Sequence, residues 1–290
     1  MVGIVDYNAG NIKSVERALS FLKTDYVLSK NPADLENCDR LIFPGVGEAK
    51  YAMEQLKKTG FDSFLRDWVA AKKPLMGICL GSQIIFDYSE EGDVDCLGLL
   101  KGTIRHFESV WKENAHSRHA ELVSASGEGM TAKSKESAIK PKTEAVEPKT
   151  EAVEPKTAVV EALETTKTAN SSVISTSSIT TKDKLTTVSE QGHFNKLNDR
   201  ASLKVPHMGW NNLEFANGSS PLFNGVDETS DFYFVHSYLI QPSDESIVKA
   251  YADYGCRVPA CVSRGSITAF QFHPEKSGRA GLKILENFIK

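Results

Sequence analysis

A 90-residue window, residues 112–201, is the feature that most limits how this 290-residue chain can fold. The window contains one aromatic residue, Phe194, and no cysteine, while Ser and Thr occupy 23 of its positions. A seven-residue repeat, PKTEAVE, begins at Pro141 and Pro148 and recurs as PKTAVVE from Pro155. Proline at every seventh position argues against a helix, because each one costs about 3 kcal/mol in a helix interior. We therefore predict a low-complexity, disordered insert.

The two flanking segments, residues 1–111 and 202–290, have the composition of a single packed domain. The whole chain has 25 aromatic residues, namely 3 Trp, 8 Tyr and 14 Phe. The two flanking segments contain 24 of them. Because the window carries 13 basic and 13 acidic side chains, the net charge of -4 belongs to the flanking segments. We therefore predict a single domain in two pieces, with the window as an insertion, since a long surface loop adds little closure entropy.

Charge, hydropathy and cysteine usage argue against several classes of protein. A net charge of -4 does not fit a nucleic-acid-binding protein, which usually carries a basic excess. No apolar stretch approaches the roughly 18 residues of a membrane span, and the first residues lack the basic leader of a signal peptide. The five scattered cysteines do not indicate a disulfide framework. We expect a cytoplasmic protein with no membrane or nucleic-acid partner.

Short apolar runs in the first segment predict parallel strands. The runs Val2–Val5, Leu41–Phe43 and Leu75–Ile78 are separated by stretches in which apolar residues recur at helical spacing. A further helix is predicted from Ser82 to Tyr88. Strands that alternate with helices indicate a parallel sheet covered on both faces.

The second segment has a different pattern. Asp231–Leu239, Ser246–Tyr251 and Ser266–Phe272 are rich in aromatic and β-branched residues with few helical stretches between them, which predicts antiparallel strands. Gly281–Ile289 is predicted to form a closing helix. The predicted fold class is α/β, with an open, mostly parallel sheet, flanking helices and additional antiparallel strands.

The segment Gly77-Ile78-Cys79-Leu80-Gly81 lies between a predicted strand and a predicted helix. This G-x-C-x-G pattern is the cysteine form of the nucleophile elbow, a tight turn that exposes the sulfur. A helix N-terminus beside the sulfur favours the thiolate. We therefore predict that Cys79 is a nucleophile and that the Leu80 N–H binds an oxyanion. The alternative is a cysteine that is simply a buried apolar residue.

A thiolate nucleophile needs a general acid and base, and His273 is the strongest candidate among the seven histidines. It follows an apolar strand in the sequence Gln271-Phe272-His273-Pro274-Glu275, where Pro274 ends the strand. Glu275 is close enough to orient the imidazole and to stabilise its charged form. Most single histidines are structural, so this prediction depends on the adjoining Pro-Glu pair and on the position at a strand end.

Pro44-Gly45-Val46-Gly47 follows another predicted strand at its C-terminal end, where open α/β sheets place their sites. The glycines allow backbone N–H groups to face a ligand, although the same residues also fit an ordinary strand-to-helix turn. His207, Cys256 and Cys261 do not have the ligand spacing of a zinc cluster. We expect no metal and no cofactor.

Together these motifs resemble those of the class I (triad-type) glutamine amidotransferases, in order and in spacing once the window is set aside. Longer motifs resemble one branch of that family, the glutaminase subunits of imidazole glycerol phosphate synthases. They are VDYNAGNIKSV at Val5, FPGVGEA at Phe43, GICLGSQ at Gly77, KVPHMGWN at Lys204, FYFVHSY at Phe232 and FQFHPEKSG at Phe270. The 90-residue window departs from the short connection that is usual in the family.

The resemblance implies a triad and an oxyanion site. Cys79 would attack the side-chain amide of glutamine. His273 would protonate the departing ammonia and then activate water, while Glu275 would hold His273. The N–H groups of Leu80 and Val46 would bind the oxyanion, the latter after a peptide in the segment Pro44 to Gly47 reorients.

The resemblance also implies substrate and partner sites. The substrate site would include Gly45, Gly47, Gln83 and the backbone of His236, Ser237 and Tyr238, of which Gln83 and residues 236–238 would hold the α-amino and carboxylate groups. The ammonia would pass to a TIM-barrel cyclase subunit, which makes imidazole glycerol phosphate and AICAR in histidine biosynthesis. Asn11, Trp210 and Lys276 would lie at the interface of this heterodimer, although a tryptophan such as Trp210 is also common in a core.

Three alternatives stay open on the residues alone. The chain could be the glutaminase subunit of another synthase, of the anthranilate or aminodeoxychorismate type, although PHMGWN and HPEKS weigh against this. It could be a stand-alone cysteine hydrolase of the PfpI type, which shares the elbow and the sheet but not the context of Gln83 and of His273-Pro274-Glu275. A binding protein that has lost catalysis is disfavoured because all three triad positions are present.

Overall fold

The computed structural model describes residues 1–9, 12–115, 203–216 and 220–290. Its strands are β1 Val2–Val5, β2 Tyr26–Ser29, β3 Arg40–Gly45, β4 Leu75–Cys79, β5 Tyr88–Ser89, β6 Val94–Asp95, β7 Gly102–His106, β8 His207–Asn212, β9 Glu214–Phe215, β10 Asp231–His236, β11 Tyr238–Pro242, β12 Val248–Asp253, β13 Arg257–Arg264 and β14 Ile267–Phe270. Its α-helices are α1 Ile12–Phe21, α2 Ala49–Thr59, α3 Phe61–Ala70, α4 Leu80–Gln83, α5 at 107–115 and α6 Gly278–Ile289. In these ranges, no helix is long and apolar enough to cross a membrane.

An eight-stranded sheet forms the centre of the fold, in the order β2-β1-β3-β4-β14-β13-β12-β9. The first five strands run parallel to one another, and the last three continue the sheet in antiparallel fashion. Two smaller sheets, β10-β8 and β11-β7-β5-β6, lie beside it. The predicted class, an α/β fold with a mostly parallel sheet and additional antiparallel strands, is confirmed.

Alternating side chains on the central strands pack into two separate cores. Along β3, Leu41 and Phe43 join the core that includes buried residues of α2 and α3, whereas Ile42 joins the core that includes those of α1 and α6. Each of these three side chains is fully buried, which stabilises the fold by about 1.5–3 kcal/mol per residue. This two-sided burial explains why the parallel strands are almost continuously apolar.

Three elements differ from the sequence prediction. The strand within Ser266–Phe272 pairs antiparallel with β13, as predicted, but parallel with β4 on its other side. The run Asp231–Leu239 is divided at Ser237 into β10 and β11, which belong to different sheets. The helix predicted for Ser82–Tyr88 ends at Gln83, because the chain turns there towards β5.

Helix α5 continues past Lys112, the residue at which the sequence predicts the insert to begin. Within this part of the helix, Glu113 accepts two hydrogen bonds from the Arg105 guanidinium, at 2.6 and 2.7 Å. Arg105 also donates to Glu90 at 2.9 Å. The insert was predicted to be disordered from residue 112, which is wrong for the helical residues 112–115. Its other residues, 116–201, lie outside the described residues, as does Asn11.

Gly281 allows α6 to lie directly against the turn Pro274–Lys276. A Cβ atom at residue 281 would lie 1.9 Å from the Pro274 carbonyl oxygen and 2.8 Å from the Cβ of Ser277. Backbone atoms cannot move away as a flexible side chain can, so this contact requires glycine. It also fixes the turn that follows His273.

We predict that Gly281→Ala destabilises the protein by at least about 2 kcal/mol, the cost of overpacking. In an open helix the same change stabilises by roughly 0.5–1 kcal/mol, so the sign of the effect tests the contact. Urea unfolding measures the difference, with Arg279→Ala, an exposed change in the same helix, as the control. A stabilised Gly281→Ala protein would contradict the packing described.

Candidate active site

Cys79 lies at the sharp turn where β4 meets α4. Its φ of 53° and ψ of -111° are strained for a residue other than glycine, at a cost of about 1–3 kcal/mol. A Cβ at Gly81 would lie 2.0 Å from the Phe43 carbonyl oxygen, and one at Gly77 would lie 2.9 Å from the Gly81 carbonyl oxygen. Both glycines of the pattern are therefore required by the close approach of neighbouring backbone.

His273 and Glu275 are held at the same end of the sheet. Nδ1 of His273 lies 2.8 Å from Oε1 of Glu275, and both side chains are 2% exposed. The backbone of His273 is fixed on both sides, since its N–H donates to Tyr233 O at 2.9 Å and its carbonyl accepts from the Ser277 hydroxyl at 2.6 Å. The imidazole is therefore oriented by a carboxylate and by a rigid turn.

The charge state of His273 is set by its neighbours. Burial by itself lowers the pKa of His273, but the sulfur of Cys79 and the carboxylate of Glu275 outweigh burial and raise it to about 9. Nε2 is buried and lacks a partner with good hydrogen-bond geometry, although the Cys79 sulfur is near enough to act on the ring. An imidazolium beside a cysteine sulfur is the arrangement found in proteins that use a cysteine as a nucleophile.

The helix after Cys79 is shorter than the sequence predicted, and this changes the electrostatic argument. With only Leu80–Gln83 in helical conformation, the helix dipole at its N-terminus is small, because few peptide units are aligned. The charged His273, rather than a helix end, is therefore the main positive group beside the sulfur.

A cavity of about 270 Å³ opens beside Cys79. This volume is below the roughly 300–1,000 Å³ of sites for drug-sized ligands and suits a smaller molecule. Eight residues predicted for the site line it, namely Val46, Gly47, Cys79, Leu80, Gln83, His236, Ser237 and Tyr238. Gly45 is not in the lining but pairs with Cys79 in the register of β3 and β4, so the segment from Pro44 to Gly47 lies against the elbow.

Three lining residues, Glu91, Pro206 and Val235, were not predicted. Val235 O accepts a weak hydrogen bond from the Cys79 thiol at 3.7 Å. The Oε2 atom of Glu91 accepts from the Ala49 N–H at 3.0 Å, while burial and the nearby Glu48 raise the pKa of Glu91. No periodicity marks Glu91, which lies in the polar turn after β5, so sequence reasoning had no signal for it.

Gln83 faces the cavity in a fixed orientation. Its Nε2 donates to Tyr238 O at 2.9 Å and to Gln271 Oε1 at 3.0 Å. These two bonds use both amide protons, so Oε1 is the atom left to contact a ligand. Gln83 therefore offers an acceptor and not a donor.

Trp210 and Lys276, two of the residues predicted for the partner interface, are not among the residues that line the cavity. Trp210 is 58% exposed on β8, and its ring contacts Tyr233 edge to face at 5.9 Å. Lys276 places its ammonium 5.8 Å from the centre of the same Tyr233 ring. These three residues, which we call the Trp210 cluster, are adjacent to His273, because Tyr233 O accepts the His273 N–H.

His236, which lines the cavity, and His207, which does not, form a buried pair in which Nδ1 of His207 and Nε2 of His236 are 3.0 Å apart. Burial lowers the pKa of His207 to about 4, and burial together with the neighbouring His207 lowers that of His236 to about 3. Both rings are therefore neutral at physiological pH.

In the described part of the chain, no group of three or more His, Cys, Asp or Glu could hold a metal ion.

We predict that the neutral pair makes the protein sensitive to acid. Below pH 6.5 the unfolded histidines bind protons, whereas the folded ones stay neutral to about 4 and about 3. The free energy of unfolding therefore decreases as the pH is lowered from 6.5 towards these values, by about 1.4 kcal/mol per pH unit for each histidine. Urea unfolding from pH 6.5 to 4.5 should show a steeper slope for the wild type than for a His207→Asn, His236→Asn double variant. Equal slopes would contradict the assignment.

Known proteins share both the sequence and the fold. The family model for class I glutamine amidotransferase matches residues 3–290. The imidazole glycerol phosphate synthase subunit HisH of Geobacillus kaustophilus (strain HTA426) is 35% identical over 290 residues, which cover 100% of this chain and 96% of that protein. The imidazole glycerol phosphate synthase subunit HisH 1 of Campylobacter jejuni (strain RM1221) is 32% identical over 292 residues, and the alignment covers 100% of this chain and 100% of that protein.

Solved structures share the fold at low identity. A glutamine amidotransferase crystal structure has a TM-score of 0.53 at 15% identity, with 99% of this chain and 98% of that one covered. PurLQS from Thermotoga maritima has a TM-score of 0.51 at 15% identity, with 99% and 96% covered. Because the family model matches nearly the whole length of the chain, the chain belongs to the class I glutamine amidotransferases.

Proposed function

We propose that the chain is the glutaminase subunit of an imidazole glycerol phosphate synthase. The observation that carries this proposal is the buried set of Cys79, His273 and Glu275 beside a cavity of about 270 Å³. Relatives at 32–35% identity over the full chain carry the name of that subunit. The relatives therefore favour this function over the other synthases and the stand-alone hydrolase.

In the first step, the Cys79 thiolate attacks the side-chain amide carbon of glutamine. The oxygen becomes an oxyanion next to the N–H groups of Leu80 and Val46. As the C–N bond breaks, Nε2 of His273 gives its proton to the departing nitrogen, and ammonia leaves a thioester behind.

In the second step, Nε2 of the now neutral His273 removes a proton from water. The water oxygen attacks the thioester carbon, the C–S bond breaks, and glutamate leaves while the thiolate and the imidazolium are restored. Glu275 holds the ring through Nδ1 at 2.8 Å in both steps, and its negative charge stabilises the imidazolium.

The cavity has suitable groups for the α-carbon end of glutamine. Glu91 and the Oε1 atom of Gln83 are acceptors and suit the α-ammonium group. The backbone at Ser237 and Tyr238 lines the same cavity and suits the α-carboxylate. A neutral amide without these two charged groups would lack most of its polar partners.

We propose the Trp210 cluster as part of the surface that binds a cyclase subunit in the cytoplasm. Trp210 is exposed and lies next to Lys276 and Tyr233, and a tryptophan beside a cation is a common interface anchor. The cluster contacts His273 directly, because the carbonyl oxygen of Tyr233 accepts a hydrogen bond from the His273 N–H. Asn11 belongs to the same proposal, although it lies outside the described residues.

We expect Cys79→Ser to abolish glutamine-dependent turnover of the assembled synthase, by at least about a thousandfold, because the serine hydroxyl is not ionised. Turnover with added ammonium should stay within about twofold, since the cyclase reaction does not use the thiol. The control is Cys96→Ser, because Cys96 is equally buried, at 7%, but lies away from the cavity. Glutamate release and product formation are measured on the same mixture.

Undiminished glutamate release by Cys79→Ser would contradict the mechanism. Activation by the subunit of an anthranilate or aminodeoxychorismate synthase, and not by a cyclase, would identify a different partner. Hydrolysis of peptides without any partner would favour a PfpI-type hydrolase.

We also propose that residues 1–111 and 202–290 form one amidotransferase domain and that the window between them is dispensable. Each segment contributes four adjacent strands to one central sheet, and the two sets join where β14 of the second segment lies next to β4 of the first. Because Glu113 in α5 accepts two hydrogen bonds from Arg105, we place the start of the deletion after α5.

We expect a variant in which a linker of about ten Gly and Ser residues replaces residues 117–200 to fold and to keep glutaminase activity within about threefold. Thermal unfolding and glutamate release with the cyclase present provide the measurement. A second variant keeps the 84 residues of 117–200 but in shuffled order, which separates effects of the length of the window from effects of its sequence. Failure of the deletion variant to fold would show that the window is structural.

A further inference from the structure

Ser237 is the single residue between β10 and β11, and the chain changes sheets at this point. β10 pairs with β8, which places His236 opposite His207, whereas β11 pairs with β7. Residues 235–238 line the cavity. The geometry of this corner therefore determines where one wall of the cavity lies.

The hydrogen bonds behind the corner have only one consistent set of directions. Nδ1 of His236 lies 2.7 Å from Tyr238 O, and because a carbonyl only accepts, Nδ1 carries the proton. Nε2 of the neutral His236 then accepts from Nδ1 of His207 at 3.0 Å. Nε2 of His207 accepts in turn from the side-chain amide of Asn211 at 3.3 Å. Each ring is thereby fixed in one tautomer.

The same carbonyl connects the histidine pair to Gln83. Tyr238 O accepts from His236 on one side and from Gln83 Nε2, at 2.9 Å, on the other. Its two lone pairs are thus both used. The remaining Gln83 proton goes to Gln271, so the orientation of the Gln83 amide depends on a carbonyl that His236 holds in place.

Packing alone does not explain why histidines occupy these positions. The His207 ring is stacked between Phe234 and Tyr254, with ring centres 4.7 and 4.0 Å apart. An apolar aromatic ring would fill this slot without the cost of burying two polar nitrogens. The nitrogens are fully used in the hydrogen-bond chain, which indicates that their contribution is directional.

We propose that His207 and His236 are positioning residues for the substrate, which hold the Tyr238 carbonyl and the Gln83 amide so that the cavity recognises the α-ammonium and α-carboxylate of an L-amino acid. This inference rests on the proposed glutaminase function. Neither ring takes part in bond breaking, and both act through Tyr238 and Gln83.

Two reagents that alkylate Cys79 separate this role from a general structural one. Iodoacetamide has no α-amino or α-carboxylate group, whereas the diazoketone analogue of L-glutamine has both. The variants are His236→Asn, whose amide nitrogen replaces Nδ1 and keeps the bond to Tyr238 O, and His236→Gln, whose amide replaces Nε2 and loses that bond. His207→Asn and His207→Gln form a second matched pair.

For the Gln variants we expect inactivation by the diazoketone to slow at least tenfold, while labelling by iodoacetamide stays within about twofold. For the Asn variants the diazoketone rate should stay within about threefold of the wild type. Equal slowing with both reagents, or no difference between Asn and Gln, would overturn the positioning role. A wild-type protein whose Cys79 does not react with the diazoketone would instead overturn the proposed glutaminase function.

Discussion

The parallel pairing of β14 with β4 is the contact on which the site depends. Four residue pairs, from Ile267 opposite Leu75 to Phe270 opposite Ile78, join the two halves of the chain. Because the strands run in the same direction, Cys79 and His273 emerge at the same edge of the sheet. With β14 reversed, Phe270 would lie opposite Leu75 and His273 would lie beyond that end of β4. At about 3.3 Å per residue this is roughly 23 Å from Cys79.

The elbow shows how the sheet supports a strained residue. The strain at Cys79 costs about 1–3 kcal/mol, and it persists because β3 and β14 hold β4 on both sides. Gly81 allows the helix backbone to approach the Phe43 carbonyl on β3. The same strand continues into the segment with Gly45 and Val46, so one packing contact places both Cys79 and the neighbouring backbone N–H groups.

The central fold was predictable, and Cys79 and His273 could be singled out as candidates, because the sequence signals around them are local. The strand before Cys79, the glycines around it and the Pro-Glu pair after His273 each restrict the chain over a few residues. The break at Ser237 was not predictable, since β10 and β11 read as one apolar run and only their partners, β8 and β7, separate them. Glu91 was missed for a similar reason, because its place in the cavity depends on the path of the chain after α4 and not on any pattern around it.

The histidines of this site show that environment, rather than residue type, determines charge. His273 and His236 are both buried, at 1% and 6% exposure, and burial lowers the pKa of each. For His273 two negative neighbours reverse the effect and raise the pKa to about 9, whereas His236 has another imidazole beside it and its pKa falls to about 3. A charged ring can give a proton to a leaving group, while a neutral ring with a fixed tautomer can hold a carbonyl in place. In the proposed glutaminase, the reacting amide of glutamine and its α-carbon end would therefore depend on histidines in opposite charge states.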